Sequence, residues 1–141
     1  MKLNNPKKSL GQNFLTDGNI IDIIVNQGNI TKNDTILEVG PGTGSLTEKI
    51  ISKNPKKIFA VEKDQYLSKN LNKKFKEKIV IVNRDILKVD EKKLSNQQMI
   101  VFGNLPYNIS TQILVKWIKL IDLNKTFKKL ILMFQKEVAE R

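Results

Sequence analysis

At 141 residues, 40% of them hydrophobic and 28% charged, the chain has enough apolar material for one packed domain and too little length for two. The absence of cysteine and histidine excludes disulfides, thiolate nucleophiles, zinc sites with nitrogen or sulfur ligands and histidine-based triads. No metal is expected, chemistry must rest on carboxylates, amides, backbone or a cofactor, and the formal net charge of +11 favours a polyanionic partner such as nucleic acid.

Met1 to Ser9 has no apolar segment behind its charges, unlike a secretory signal, and no apolar run approaches a membrane span, so a cytoplasmic location is expected. Lys2 to Leu15 reads as a basic, Asn-rich arm interrupted by Pro6 and Gly11. Its end, Gln12-Asn13-Phe14-Leu15, joins two amides to two apolar anchors, suited either to a trailing leader or to a segment that packs down and presents an amide to a ligand. Asp17 as an N-cap, followed by Ile20, Ile21, Ile23, Ile24 and Val25, predicts a helix that ends near Gly28 and packs on a sheet over a wide apolar arc.

Thr35 to Leu46 then reads as a buried strand that turns through a glycine-rich loop into a helix over 45–52. Gly40, Gly42 and Gly44 alternate around Pro41 and Thr43, a pattern that lets a ligand touch bare backbone. A dinucleotide fingerprint needs glycine where Ser45 stands, and a phosphate-binding loop needs a Gly-Lys-Ser/Thr that is absent. Glu38 at the strand's end repels phosphate and suits a cation. A ligand carrying both an ammonium and a sulfonium is S-adenosylmethionine, with Glu38, Gly40 and Gly42 as its candidate contacts. A turn that uses glycine only for tightness is the competing account.

A second strand, 57–61, ends in Glu62-Lys63-Asp64, close to twenty residues beyond the glycine loop, where a doubly wound fold aims a carboxylate at ribose hydroxyls. Asp64 suits the cap of the next helix, which leaves Glu62 for that role. Leu67, Leu71 and Phe75 mark the helix's inner face, and Lys69, Lys73, Lys74 and Lys76 its solvated one. A third strand, 79–82, leads to Asp85, suited either to accept from a cofactor's adenine amine or to cap a short helix. Lys88 to Gln98 reads as a polar connection. A fourth strand, 99–102, enters Gly103-Asn104-Leu105-Pro106-Tyr107-Asn108, and Ile113, Leu114, Trp117, Ile118 and Ile121 follow as a sheet-facing helical stripe, with Trp117 in the core. A fifth strand, 130–134, precedes a helix-like end. Strands alternating with helices argue an α/β domain with a mostly parallel sheet.

Asn104-Leu105-Pro106-Tyr107 meets one chemical need closely. The adenine N6 amine is a poor nucleophile because its lone pair is delocalised into the ring. Two fixed acceptors, the Asn104 side-chain oxygen and the Leu105 carbonyl, would favour its tetrahedral form, with Pro106 aiming the carbonyl and Tyr107 stacking the base. A proline turn with a packing tyrosine is the plainer reading.

Lys-Ser-Leu-Gly-Gln-Asn-Phe-Leu at 8–15, Glu-Val-Gly-Pro-Gly-Thr-Gly at 38–44, Asn-Leu-Pro-Tyr-Asn-Ile-Ser at 104–110 and Gln-Lys-Glu-Val-Ala-Glu-Arg at 135–141 together resemble the ribosomal RNA adenine N6,N6-dimethyltransferases. Leu105 and the Lys-Ser-Leu-Gly lead-in are most similar to the bacterial small-subunit branch. The resemblance implies a Rossmann-like class I methyltransferase dependent on S-adenosylmethionine, acting on small-subunit ribosomal RNA in the immature small ribosomal subunit. Asn13 and Leu15 would close the cofactor pocket, Gly40 would admit the methionyl part, Glu62 would bind the ribose, Asp85 the adenine, and Asn104 would lie between cofactor and target. It also implies that residues 1–141 are the incomplete cofactor-binding domain, without the final strands and the helical RNA-contacting domain of the family, and with the fifth strand at an open edge. A non-catalytic ribosome-assembly factor on the same fold, a large-subunit rRNA methylase and a DNA adenine methylase are the alternatives.

Overall fold

The computed structural model describes residues 16–120, 123–134 and 136–141. Asp17 caps α1 (Gly18–Asn26), its Oδ1 accepting from the Asn19 and Ile20 amides. Ile21, Ile24 and Val25 are buried, whereas Ile20 and Ile23 stay exposed, so the buried face of α1 is narrower than its composition suggested.

The sheet is entirely parallel. At its centre β1 (Thr35–Val39) is buried at every position, paired with β2 (Lys57–Val61) on one side and β4 (Met99–Asn104) on the other. Outside these lie β3 (Val80–Val82) against β2, and β5 (Phe127–Met133) against β4, giving the order β3-β2-β1-β4-β5. The helices are α2 (Ser45–Ser52), α3 (Gln65–Phe75), α4 (Ser110–Ile118), and the short α5 (Leu123–Thr126) and α6 (Lys136–Ala139). None of the described helices is long and apolar enough to cross a membrane.

Alternation along the strands divides the core in two. Ile36, Ile58, Ala60, Ile100 and Phe102 pack with Ile24 of α1, Ile50 of α2, and Leu71 and Phe75 of α3. Leu37, Val39, Phe59, Val61 and Val101 pack on the opposite face with Ile86, Val89, and Ile113 and Trp117 of α4. Both faces are therefore covered, as a β1 without polar alternation requires.

Several expectations change in detail. The third strand begins at Val80 rather than Ile79. The fifth begins at Phe127, whose ring meets Trp117 edge-on at 5.5 Å between centroids and draws the chain into the sheet early. Lys128 and Lys129 are tolerated there because they lie at the amino end of β5, where their ammonium groups reach Asp34 and the Gln27 carbonyl. In α4 only Ile113 and Trp117 of the anticipated stripe are buried; Leu114 is half-buried, Ile118 is 63% exposed, and Ile121 lies outside the described residues. Lys88 to Gln98 is more than a polar connection, for it contains a 3₁₀ turn at Glu91–Lys93 with the Glu91 carboxylate buried against α4.

Candidate functional site

The order of strands reverses at β1, which is flanked by β2 and β4, and the carboxyl end of a parallel sheet at such a point opens a crevice. Every described candidate residue lies at that end of the sheet. Glu38 is in β1, Glu62 follows β2, Asp85 follows β3, and Asn104 closes β4.

The glycine loop takes positive φ at Gly40, Gly42 and Gly44. At Gly44, φ is +92° and a Cβ would sit 2.6 Å from the Phe75 ring, so glycine is required for α2 to start against α3. At Gly40, φ is +69° and a Cβ would lie 3.2 Å from the Asn104 carbonyl oxygen and 3.9 Å from Pro106 Cδ. The two motifs, more than sixty residues apart in the chain, thus meet backbone to backbone.

Glu38 is 1% exposed and accepts from the Thr47 hydroxyl at 2.6 Å. Among the described residues its buried Oε1 has no hydrogen-bond partner. Burial, reinforced by the nearby Glu62 carboxylate, pushes the Glu38 carboxyl up to about 7. Glu62 is not left idle by the Asp64 cap. Asp64 does cap α3 through the Leu67 amide, yet Glu62 accepts from the Asp64 amide at 3.0 Å and the Gly42 amide at 3.2 Å, pinning the glycine loop to the end of β2. Burial raises its carboxyl as well, against the lowering effect of those amides. Asn83 was missed from sequence: its side-chain amide donates to the carbonyls of Glu62 and Lys63, tying β3 to this corner. An amide one residue past a strand was the available signal.

Asp85 takes the capping role of the two anticipated for it. One oxygen caps the turn at Ile86–Lys88 through the Leu87 amide, and the other lies 3.4 Å from the Lys63 ammonium. In the β4 exit, Leu105 is buried against Gly103, Asn104 and Pro106 are half-buried, and Tyr107 is 41% exposed. The Pro106 carbonyl accepts from the Ile109 amide and the Tyr107 carbonyl from the Ser110 hydroxyl, closing the turn into α4. Asn13 and Leu15 fall outside the described residues.

The profile of ribosomal RNA adenine dimethylases matches residues 3–141. The chain belongs to the ribosomal RNA adenine dimethylase family. It is 56% identical over 135 residues to ribosomal RNA small subunit methyltransferase A of Pelagibacter ubique, covering 96% of this chain and 51% of that protein. Among solved structures, the 23S rRNA methyltransferase ErmE superposes with a TM-score of 0.78 at 26% identity over 91% of this chain and 50% of the other. A dimethyladenosine transferase from Plasmodium falciparum gives 0.77 at 29% identity over 92% and 46%. The chain therefore spans about half the length of the relatives it matches, and its sheet is the Rossmann-like one of class I S-adenosylmethionine-dependent methyltransferases. Within the dimethylase family frame, the Gly40–Asn104 contact brings the glycine loop against the Asn-Leu-Pro-Tyr segment.

Proposed function

We propose that residues 1–141 are the S-adenosylmethionine-binding catalytic part of an enzyme that dimethylates the N6 amines of two adjacent adenines near the 3′ end of small-subunit rRNA, in the cytoplasm, during ribosome biogenesis. The observation that carries this reading is the backbone contact between Gly40 and Asn104, which joins a cation-suited loop to an amine-recognising one.

The residues fit the cofactor. Glu38 Oε1 is a buried acceptor without a partner among the described residues, and burial pushes both the Glu38 and the Glu62 carboxyls upward. A cationic ligand relieves both conditions. Glu38, Gly40 and Gly42 would hold the methionyl end, Glu62 the ribose, Asp85 the adenine amine, and Asn13 with Leu15 would close the pocket.

Bound there, S-adenosylmethionine supplies an electrophilic methyl group. Asn104 Oδ1 and the Leu105 carbonyl accept the target amine's N–H groups and turn its lone pair outward, which acts most strongly as positive charge develops on nitrogen. The exposed Tyr107 ring offers the face on which an extruded base stacks. The ammonium product is acidic enough to lose its proton to water, so a chain without histidine suffices.

Calorimetric titration with S-adenosylmethionine and, separately, NADH tests the cofactor. Heat from the first and none from the second is expected; the reverse would overturn the reading. Turnover is tested by mass spectrometry of rRNA from immature small subunits, using the chain extended by the C-terminal half of a relative, and an absence of dimethyladenosine there would favour an assembly factor.

A further inference from the structure

The segment that follows Asp85 has no strand to hold it until β4 begins at Met99, yet the adenine-facing role assigned to Asp85 needs a fixed carboxylate. The Leu87 amide and the Lys63 ammonium hold the carboxylate itself, and what fixes the turn beneath it comes from α4. The Lys116 ammonium donates to the carbonyl of Ile86 at 2.7 Å, to the carbonyl of Val89 and to Glu91 Oε1 at 2.7 Å, so its three N–H groups meet three acceptors. The same Glu91 oxygen accepts from the Trp117 indole at 2.8 Å, and Glu91 is 1% exposed. Ile86 is the first residue of the very turn that Asp85 caps.

We propose that Lys116 is a positioning residue for the adenine end of the cofactor site, acting through the Ile86 and Val89 carbonyls to set the Asp85 carboxylate. The inference rests on the reading that Asp85 accepts from the cofactor's adenine amine. An ion pair with a buried carboxylate and a half-buried ammonium is a poor choice for stability alone, since apolar side chains of similar volume commonly serve as well. Its two carbonyl contacts are what an apolar pair cannot supply. They place residues 86–91 at a definite height on the sheet, and because α4 starts directly after the Asn104 segment, one helix serves the target loop at one end and the adenine turn near the other.

The test compares S-adenosylhomocysteine with S-inosylhomocysteine, which lacks the exocyclic amine, by calorimetry on the 141-residue chain. The readout is the ratio of the two affinities, because a loss of general folding weakens both ligands alike. Lys116→Met is expected to lower the ratio about tenfold, Asp85→Ala to lower it at least as far, and the double variant to go no further than Asp85→Ala. Glu91→Gln keeps an acceptor for Trp117 while weakening the ammonium's hold, and is expected to lower the ratio by a smaller factor; it decides the matter if Lys116→Met does not fold. The emission of Trp117, the sole tryptophan, reports whether the cluster remains closed. If Asp85→Ala lowers the ratio and the Lys116 and Glu91 variants leave it unchanged, the positioning role is wrong while the cofactor reading stands. An unchanged ratio in Asp85→Ala removes Asp85 from adenine recognition and the inference with it. No binding of S-adenosylhomocysteine by the unaltered chain overturns the proposed function itself.

Discussion

The Thr47 hydroxyl donates to Glu38 Oε2 at 2.6 Å, joining the first turn of α2 to the end of β1 in a place that water does not reach. Among the described residues this donor faces a carboxylate whose other oxygen has no partner, so the ionised form of Glu38 is poorly supported.

A pH dependence follows. The folded-state pKa of Glu38, about 7, lies above its unfolded value of 4.5, so between these values the folded form holds the proton that the unfolded form has lost. Glu38 costs nothing below about 4.5, and its cost grows as pH rises towards 7, reaching roughly 3 kcal/mol above it. Glu62, also raised, acts with the same sign. Urea unfolding across this range should show stability falling with pH, and Glu38→Gln should make the fall shallower. An identical slope in the variant would place the titrating group elsewhere.

Glu62→Ala is expected to weaken S-adenosylmethionine binding by roughly 1.5–3 kcal/mol, through lost charge-assisted hydrogen bonds to the ribose. It also releases the Gly42 amide from its acceptor, so the loss includes loosening of the glycine loop. Calorimetry measures it, and an unaltered affinity would assign the ribose to another residue.

Asn104→Ala in the extended enzyme should keep most cofactor affinity and lose about 100- to 1,000-fold in methyl transfer, since its oxygen acts on the amine as charge develops. Tyr107→Phe should retain turnover where Tyr107→Ala weakens base binding by roughly 1–3 kcal/mol. Single-turnover kinetics on immature subunits separate the two effects; equal losses in the two Tyr107 variants would exclude stacking.

Gly40→Ala is expected to cost about 1–3 kcal/mol, because it forces a side chain into φ +69° and towards the Asn104 carbonyl. Gly18→Ala is the contrasting case, an α1 residue with nothing within 4 Å of an added Cβ, and should be stabilising by roughly 0.4–1 kcal/mol. Thermal unfolding of both distinguishes backbone demand at Gly40 from a general intolerance of substitution.

The strands were legible where local pattern and tertiary demand coincide. Thr35–Val39 and Lys57–Val61 are apolar runs bounded by glycine or proline, and they fold with the limits their sequences suggest. Phe127–Met133 was legible only in its apolar half, since two lysines in a strand make sense only once their ammonium groups are seen to reach Asp34 and the Gln27 carbonyl through space. The carboxylates at the strand ends were found by spacing. Their partners were not, because the Gly42 amide, Thr47 hydroxyl and Asn83 side chain reach them through space. Glu91 was invisible for the same reason: it lies in a lysine-rich stretch that looks solvated until Trp117 and Lys116 fold over it.

The pairing of β1 also bears on the order in which the molecule assembles. Thr35 pairs with Lys57 across a short crossover and with Met99 across a much longer one, and closing the longer loop carries the greater entropic cost. Pulsed hydrogen exchange during refolding is expected to protect β1–β2 amides before β1–β4 amides; simultaneous protection would mean that the sheet condenses as a unit. With the shorter crossover closing first, the glycine loop and Glu62 come together while the Asn104 segment is still undocked. On the proposed function, a nascent chain leaving the ribosome would then hold its cofactor half before its substrate half exists, and cofactor present at that moment would favour productive folding by mass action.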